Sequence, residues 1–132
     1  MEIESSYLVD SHCHLNFKDF EEDFDSVIQR AKDSNVRIIV SISTELEEID
    51  RIIKISESYQ NIYCTVGVHP HSAKIQNNLK EDYLIEMASN PKVIGIGETG
   101  LDFYYENSVK EDQIDSFSKH INVSRETQQP LI

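Results

Sequence analysis

The fold is decided by residues 36–68, VRIIVSISTELEEIDRIIKISESYQNIYCTVGV. This segment begins with the apolar, β-branched run Val36–Ile42 and ends with a second such run, Ile62–Val68. The residues between them carry an apolar stripe at helical spacing, formed by Leu46, Ile49, Ile52 and Ile53. Because nearly continuous apolar strands are typical of a sheet covered on both faces, the segment predicts a parallel βαβ unit.

The same alternation continues on both sides of this unit. Further strands are predicted at Tyr7–Asp10 and Val93–Gly97, and Pro130–Ile132 opens a fifth. Three more helices are predicted from apolar stripes, which comprise Phe20, Phe24, Val27, Ile28 and Ala31; Leu79, Tyr83, Leu84 and Met87; and Ile114, Phe117 and Ile121. A capping residue followed by Glu predicts the helix starts, at Asp19/Glu22, Thr44/Glu47, Asn78/Glu81 and Ser108/Glu111.

This order of elements predicts an α/β fold, either an open doubly wound sheet or a closed barrel. The first strand is not followed by a Gly-rich phosphate loop. That weakens the nucleotide-binding form of the open sheet and favours the barrel. No linker or low-complexity tract interrupts the 132 residues, so a single domain is predicted.

The net charge of −12 argues against a protein that coats nucleic acid, because such proteins carry clustered Lys and Arg. It does not exclude an enzyme that contacts phosphate through divalent cations. No apolar run approaches the roughly 20 residues of a membrane span, and no signal peptide is recognised, which predicts a cytoplasmic protein without membrane contact. Cys13 and Cys64 are then expected to be free thiols.

The first candidate site is Asp10-Ser11-His12-Cys13-His14, at the end of the first predicted strand. Residues two apart on a strand share a face, so Asp10, His12 and His14 are expected to project together, with Cys13 on the opposite face. Two imidazoles at the mouth of a barrel suit a divalent metal such as Zn²⁺ or Mn²⁺. The alternative is a pair of surface histidines beside a turn.

The second candidate site is Gly95-Ile96-Gly97-Glu98-Thr99-Gly100-Leu101-Asp102, after the fourth predicted strand. Glu98 is expected among apolar residues, where a carboxylate needs a cationic partner. A metal ion would be that partner, and a nearby Lys or Arg is the alternative. Asp102 lies in a Gly-containing turn, where an Asp often only caps its own backbone.

The third candidate site is Gly67-Val68-His69-Pro70-His71, after the third strand. His69 is nearest the strand end and is predicted to contact a substrate phosphate or to be an outer-shell group of a metal. His71 is predicted to be a loop residue. His120 lies in the fourth helix and is predicted to have a packing or surface role.

Taken together, these segments resemble the TatD family of metal-dependent deoxyribonucleases, within the amidohydrolase-like barrels. The resemblance rests on Val9–Leu15, Gly67–Pro70, Gly95–Tyr104 and the tail residues Gln113, Phe117 and Gln129–Ile132. It implies a (β/α)₈ barrel with one or two divalent metal ions (Mg, Mn or Zn), held by His12, His14 and Glu98, with Glu98 bridging when two are bound. It also implies cleavage of DNA phosphodiester bonds by a metal-activated water, with Glu98 and Asp102 as catalytic residues and His69 as a substrate-binding residue.

The chain departs from the family in its length. The family supplies further His and Asp ligands that have no counterpart in these 132 residues, and a complete barrel needs about 250 residues. Residues 1–132 are therefore expected to form one incomplete domain, the N-terminal half of a (β/α)₈ barrel with about four βα units and the start of a fifth strand. Two alternatives stay open: a related amidohydrolase-type enzyme acting on another ester or amide, or a non-catalytic fragment of a split gene that self-associates through open strand edges.

Overall fold

The computed structural model describes residues 6–132 and contains one four-stranded sheet. Its strands are β1 (Leu8–Cys13), β2 (Val36–Ser41), β3 (Ile62–Val66) and β4 (Val93–Ile96). Its α-helices are α1 (Phe24–Asp33), α2 (Ile49–Ser58), α3 (Glu81–Ala88) and α4 (Lys110–Thr127). Short 3₁₀ turns lie at Lys18–Phe20, Leu46–Glu48 and Pro70–Ser72. In the described part of the chain, every helix is too short or too polar to cross a membrane.

The strands pair in parallel in the order β1-β2-β3-β4, and a helix crosses over between each strand and the next. Sequential parallel strands joined by helices form the arrangement of a (β/α)₈ barrel, of which four units make one half. The predicted fifth strand is present as a single parallel bridge between Leu131 and Ile96. The predicted fold class is therefore confirmed.

The first strand is longer than predicted at its C-terminal end. It was expected to end at Asp10, whereas β1 continues through Cys13 because its carboxyl end still pairs with β2 at Ser41. His12 consequently lies within the strand and His14 directly after it.

The predicted capping boxes are wrong. The helices begin later than expected, and the N-cap positions of α1 to α4 are Asp23, Glu48, Lys80 and Val109, none of which makes a side-chain capping bond. Two of the predicted caps have partners elsewhere. The Thr44 hydroxyl donates to the Glu48 carboxylate, and the Ser108 hydroxyl donates to the His71 carbonyl in a neighbouring loop.

Two apolar clusters cover the outer face of the sheet. The larger lies between the β3–β4 pair and helices α2, α3 and α4, and its fully buried members include Ile49, Ile52, Val66, Leu84, Ile96 and Val123. The smaller packs α1 against the β1–β2 side through Leu15, Ile39 and Ile62. These clusters fix the strands against the helices and leave the carboxyl ends of the strands on one edge.

The first strand is exposed at its outer edge. Within the described residues β1 pairs only with β2, and Leu8 and Val9 keep 60% and 49% of their surface exposed. Leu131 and Ile132 are also partly exposed at the other end of the sheet. Self-association through these edges stays a prediction.

The chain segments just beyond the carboxyl ends of β3 and β4 lie in close contact. A Cβ atom on Gly67 would lie 2.5 Å from the Cα atom of Gly97. Gly97 has a φ of +147°, a conformation that favours glycine. Its amide donates to the Val66 carbonyl at 2.8 Å, and its carbonyl accepts from the Thr65 hydroxyl at 2.7 Å. The backbone that leads into residue 98 is thus held directly against β3.

Helix α4 is tied to the end of β3 by a buried histidine. The Nε2 atom of His120 accepts a hydrogen bond from the Val68 amide at 2.9 Å, and its Nδ1 atom lies 2.7 Å from the Ser116 carbonyl. Since an amide only donates and a carbonyl only accepts, the ring proton resides on Nδ1. Burial lowers the pKa of His120 below its ordinary value. The packing role is thus the one that the structure shows.

Replacing Gly67 with alanine should reduce the free energy of unfolding, because the new methyl group has to push two strands of backbone apart. We expect a loss of about 1–3 kcal/mol or more, measured by urea denaturation. The matched control is Asn77→Ala at an exposed position, which should change stability by less than about 0.5 kcal/mol. Equal stability of the two variants would contradict the close approach.

His120 should make stability fall at acidic pH. Its pKa is lower in the folded chain, so the unfolded chain binds more protons below about pH 6.5, and stability is lost as the pH falls from there towards the folded pKa. Urea denaturation of the wild type and His120→Gln at about pH 8 and about pH 5 isolates this contribution. The wild type should lose more stability than the variant on acidification. A difference that does not change with pH would be the contrary result.

Candidate metal centre

Two strand ends bring together the residues predicted as metal ligands. The carboxyl ends of parallel strands lie at one edge of a sheet, so β1 delivers His12 and His14 where β4 delivers Glu98. One potential ligand atom from each of the three residues lies within 4.8 Å of the others. The Oε2 atom of Glu98 is 3.2 Å from Nε2 of His12 and 3.9 Å from Nε2 of His14.

The ring of His14 is oriented by two neighbours. Its Nδ1 atom lies 2.9 Å from the Ile42 carbonyl, and its face stacks on Phe17 with ring centroids 4.7 Å apart. Because a carbonyl only accepts, the proton resides on Nδ1, and Nε2 keeps its lone pair at 3.9 Å from Oε2 of Glu98. Such a hydrogen bond on the far nitrogen is typical of histidines that bind metals.

Glu98 is positioned through its backbone. Its amide donates to the Ser43 carbonyl at 2.9 Å, and the preceding Gly97 carbonyl accepts from Thr65. The hydroxyl of the fully buried Ser43 donates in turn to the Gly67 carbonyl at 2.9 Å. The peptide bond between Gly97 and Glu98 is cis. The hydrogen bonds of Glu98, Gly97 and Ser43 fix the point at which the Glu98 side chain leaves the sheet.

Among the residues that the structure describes, no lysine or arginine forms an ion pair with Glu98. Within residues 6–132, the basic groups within 4.0 Å of its carboxylate are the imidazoles of His12, His14 and His69. Two imidazole nitrogens and a carboxylate oxygen form a donor set that suits a divalent cation. The residues present therefore fit a metal ion.

His69 lies beside this group without belonging to it. Its Nε2 atom is 3.6 Å from Oε1 of Glu98, the carboxylate oxygen turned away from the two strand-end histidines. Its Nδ1 atom accepts a hydrogen bond from the His71 amide at 3.0 Å. Burial lowers the pKa of His69, and the nearby Glu98 carboxylate acts in the opposite direction.

Asp102, predicted to be catalytic, lies against His71 and outside the three-residue group. Its Oδ2 atom is 2.7 Å from Nε2 of His71, and its Oδ1 atom accepts from the amides of Tyr104 and Tyr105. The hydrogen bond from His71 is the main reason that the pKa of Asp102 is lowered. Asp102 thus also caps its own turn, which the sequence analysis gave as the alternative.

The sequence analysis missed the partner of Asp102. His71 was predicted to be a loop residue, but it lies in the 3₁₀ turn Pro70–Ser72 and its side chain is only partly exposed. Pro70 could have indicated this turn, because proline favours the first position of a helix and so predicts that the residues after it form a helical turn. The sequence does not predict its pairing with a residue 31 positions away.

The other residues of the first motif have structural partners. The Oδ1 atom of Asp10 accepts from the His12 amide at 3.2 Å, and Asp10 is not part of the three-residue group. The thiol of Cys13 faces the Val40 carbonyl and packs in the smaller apolar cluster, opposite to the histidines as predicted. Burial raises the pKa of Cys13 to about 12, so it is a neutral thiol at physiological pH.

Comparison with known proteins identifies the family. The model of the family described as TatD related DNase matches residues 9–132. The chain is 34% identical to the metal-dependent hydrolase YabD of Bacillus subtilis, over 95% of this chain and 49% of the relative. It is 32% identical to the 3′-5′ ssDNA/RNA exonuclease TatD of Shigella flexneri, over 94% of this chain and 48% of the relative.

A solved structure agrees with these relatives. The TatD homologue YJJV of Escherichia coli superposes with a TM-score of 0.80 at 27% identity, over 94% of this chain and 49% of that protein. The chain spans about half the length of the curated relatives that it matches. It belongs to the TatD related DNase family.

Proposed function

We propose that this chain supplies the metal-binding half of a hydrolase that cleaves phosphodiester bonds of DNA with water. The observation that carries the proposal is the convergence of His12, His14 and Glu98, in which Nε2 of His14 keeps its lone pair and lies 3.9 Å from the Glu98 carboxylate. Family membership supports a metal-dependent hydrolase, and the exonuclease named among the relatives supports a nucleic-acid substrate. Because the chain spans about half the length of these relatives, the activity of a whole protein is part of the proposal.

The residues of the site have separable roles in this proposal. A divalent ion at the three-residue group would lower the pKa of a water molecule and neutralise a phosphate oxygen. His12, His14 and Oε2 of Glu98 would hold the ion. The second oxygen of Glu98, Oε1, faces His69 and is free to accept a proton from the attacking water.

His69 and Asp102 have secondary roles. Nε2 of His69 lies 3.6 Å from Oε1 of Glu98, and this position suits contact with a substrate phosphate. Asp102 is hydrogen-bonded to His71 and is not a member of the three-residue group, so its proposed contribution to catalysis is indirect. The acidic chain would depend on the metal for contact with a polyanion, because its net charge is −12.

Metal affinity tests the proposed ligands without requiring catalysis. Titration calorimetry with Mn²⁺ or Zn²⁺ should show that Glu98→Gln and His14→Ala weaken binding by at least about 10–100-fold, the range seen when even an outer-shell partner of a metal is lost. The matched control is Glu106→Gln, an exposed carboxylate that is not in the three-residue group. Equal affinity of Glu98→Gln and Glu106→Gln would refute the ligand assignment.

Hydrolysis tests the proposed reaction. The chain supplied with Mg²⁺ or Mn²⁺ should release nucleotides from labelled single-stranded DNA, and Glu98→Gln should slow this by about 10²–10⁴-fold. Parallel reactions with RNA and with nitrophenyl ester and amide substrates identify the leaving group. Cleavage of the esters or amides alone would favour the related amidohydrolase-type enzyme. Metal binding without cleavage of any substrate would favour the non-catalytic half-barrel.

A further inference from the structure

Backbone partners define the protonated nitrogen of His14, His69 and His120, and His69 differs from the other two. His14 and His120 each direct Nδ1 at a backbone carbonyl, so both carry the proton on Nδ1. In His69, Nδ1 instead accepts a hydrogen bond from the His71 amide. An amide has no lone pair to offer, so Nδ1 of His69 is unprotonated and a neutral ring carries its proton on Nε2.

The turn after His69 provides this amide. Pro70 has no N–H group, so the first amide available to the His69 ring is that of His71, at 3.0 Å. The Ser72 amide donates to the His69 carbonyl at 2.9 Å and closes the 3₁₀ turn. The tautomer of His69 therefore depends on where this turn holds residue 71.

His71 is held on two sides by the loop that follows β4. Its side chain contacts Asp102 at 2.7 Å, and its carbonyl accepts from the Ser108 hydroxyl at 2.9 Å. The Lys74 amide donates to the same hydroxyl at 3.0 Å, which joins the far end of the turn to Ser108. The loop between residues 102 and 108 thus clamps the turn.

One buried amide group holds both ends of that loop. Gln113 on α4 is 1% exposed. Its Oε1 atom accepts from the Asp102 amide at 2.8 Å, and its Nε2 atom donates to the carbonyls of Asp102 and Ser108 at 3.0 and 2.9 Å. Because the Asp102 amide only donates and the two carbonyls only accept, the amide group of Gln113 has a single orientation that satisfies all three.

We propose that His71, Asp102 and Gln113 form a positioning relay that holds His69 as the Nε2–H tautomer, so that His69 offers a hydrogen-bond donor and not a metal ligand beside Glu98. Within residues 6–132, Nε2 of His69 has no hydrogen-bond partner, and its distance of 3.6 Å from Oε1 of Glu98 leaves that donor available. The group that would accept this hydrogen bond from Nε2 of His69 is an anionic oxygen bound beside Glu98. The identity of that oxygen as a substrate phosphate rests on the proposed function, whereas the tautomer does not.

The test is a long-range ¹H–¹⁵N correlation spectrum of the chain labelled at its histidines, recorded at about pH 8, above the ordinary histidine pKa. His69 should show a protonated Nε2 and an unprotonated Nδ1. His14 and His120 should show the reverse pattern in the same spectrum, which makes them internal controls. A protonated Nδ1 in His69 would overturn the tautomer assignment.

Two variants test the relay. His71→Ala keeps the amide but removes the bond to Asp102, and Asp102→Asn removes the carboxylate at nearly constant volume. Each should shift both His69 ring nitrogens towards intermediate, tautomer-averaged values and leave the His120 pattern unchanged. If His71→Ala loses the His120 pattern, it has unfolded and Asp102→Asn decides. An unchanged His69 pattern in a folded variant would overturn the relay.

Adding Zn²⁺ separates this inference from the proposed function. Zinc should shift the Nε2 resonance of His14 and leave Nε2 of His69 protonated. A zinc-induced loss of the His69 Nε2 proton would overturn the inference, because His69 would then be a ligand. If zinc shifts neither residue while His69 keeps its Nε2 proton, the metal site fails and the positioning relay is supported.

Discussion

The structure depends on the contact between two glycine backbones, Gly67 after β3 and Gly97 after β4. No side chain fits between them, and only this proximity lets the chain beyond β4 hydrogen bond to the ends of β2 and β3. Glu98 then leaves the sheet at a fixed point beside the histidines of β1. A carboxylate from one strand and imidazoles from another, three strands away, meet because the intervening backbone is packed this closely.

The histidines of this chain differ in the backbone groups to which their ring nitrogens hydrogen bond. Nδ1 of His14 lies against a carbonyl, which leaves the lone pair on Nε2, whereas Nδ1 of His69 lies against an amide, which in our proposal leaves the proton on Nε2. His120 uses both nitrogens on backbone groups and serves to fasten α4. The backbone group that each imidazole contacts thus distinguishes a candidate metal ligand, a proposed hydrogen-bond donor and a structural link.

The order of the elements and the convergence of the three candidate ligands were predictable, since strand and helix periodicity place residues on faces, and parallel strands bring their carboxyl ends to one edge. The helix starts were not. Thr44 and Ser108 are residue types that favour N-cap positions, but their hydroxyls donate hydrogen bonds to Glu48 and to the distant His71, respectively. At Ser108 the local pattern failed because a tertiary partner competed for the hydroxyl, whereas at Thr44 the competing partner is a carboxylate only four residues further along the chain.

The sequence by itself determined the parallel α/β architecture, because that follows from the spacing of apolar residues along the chain. It also singled out His12, His14 and Glu98 as candidate ligands, through their places at predicted strand ends together with the resemblance to the TatD family. Only the tertiary structure decided that Asp102 faces His71 and that Gln113 holds the loop between them. Those contacts join segments separated by loops, whose course depends on packing against α4. Periodicity carries no information about such a course, so the proton positions of the histidines followed only from the folded chain.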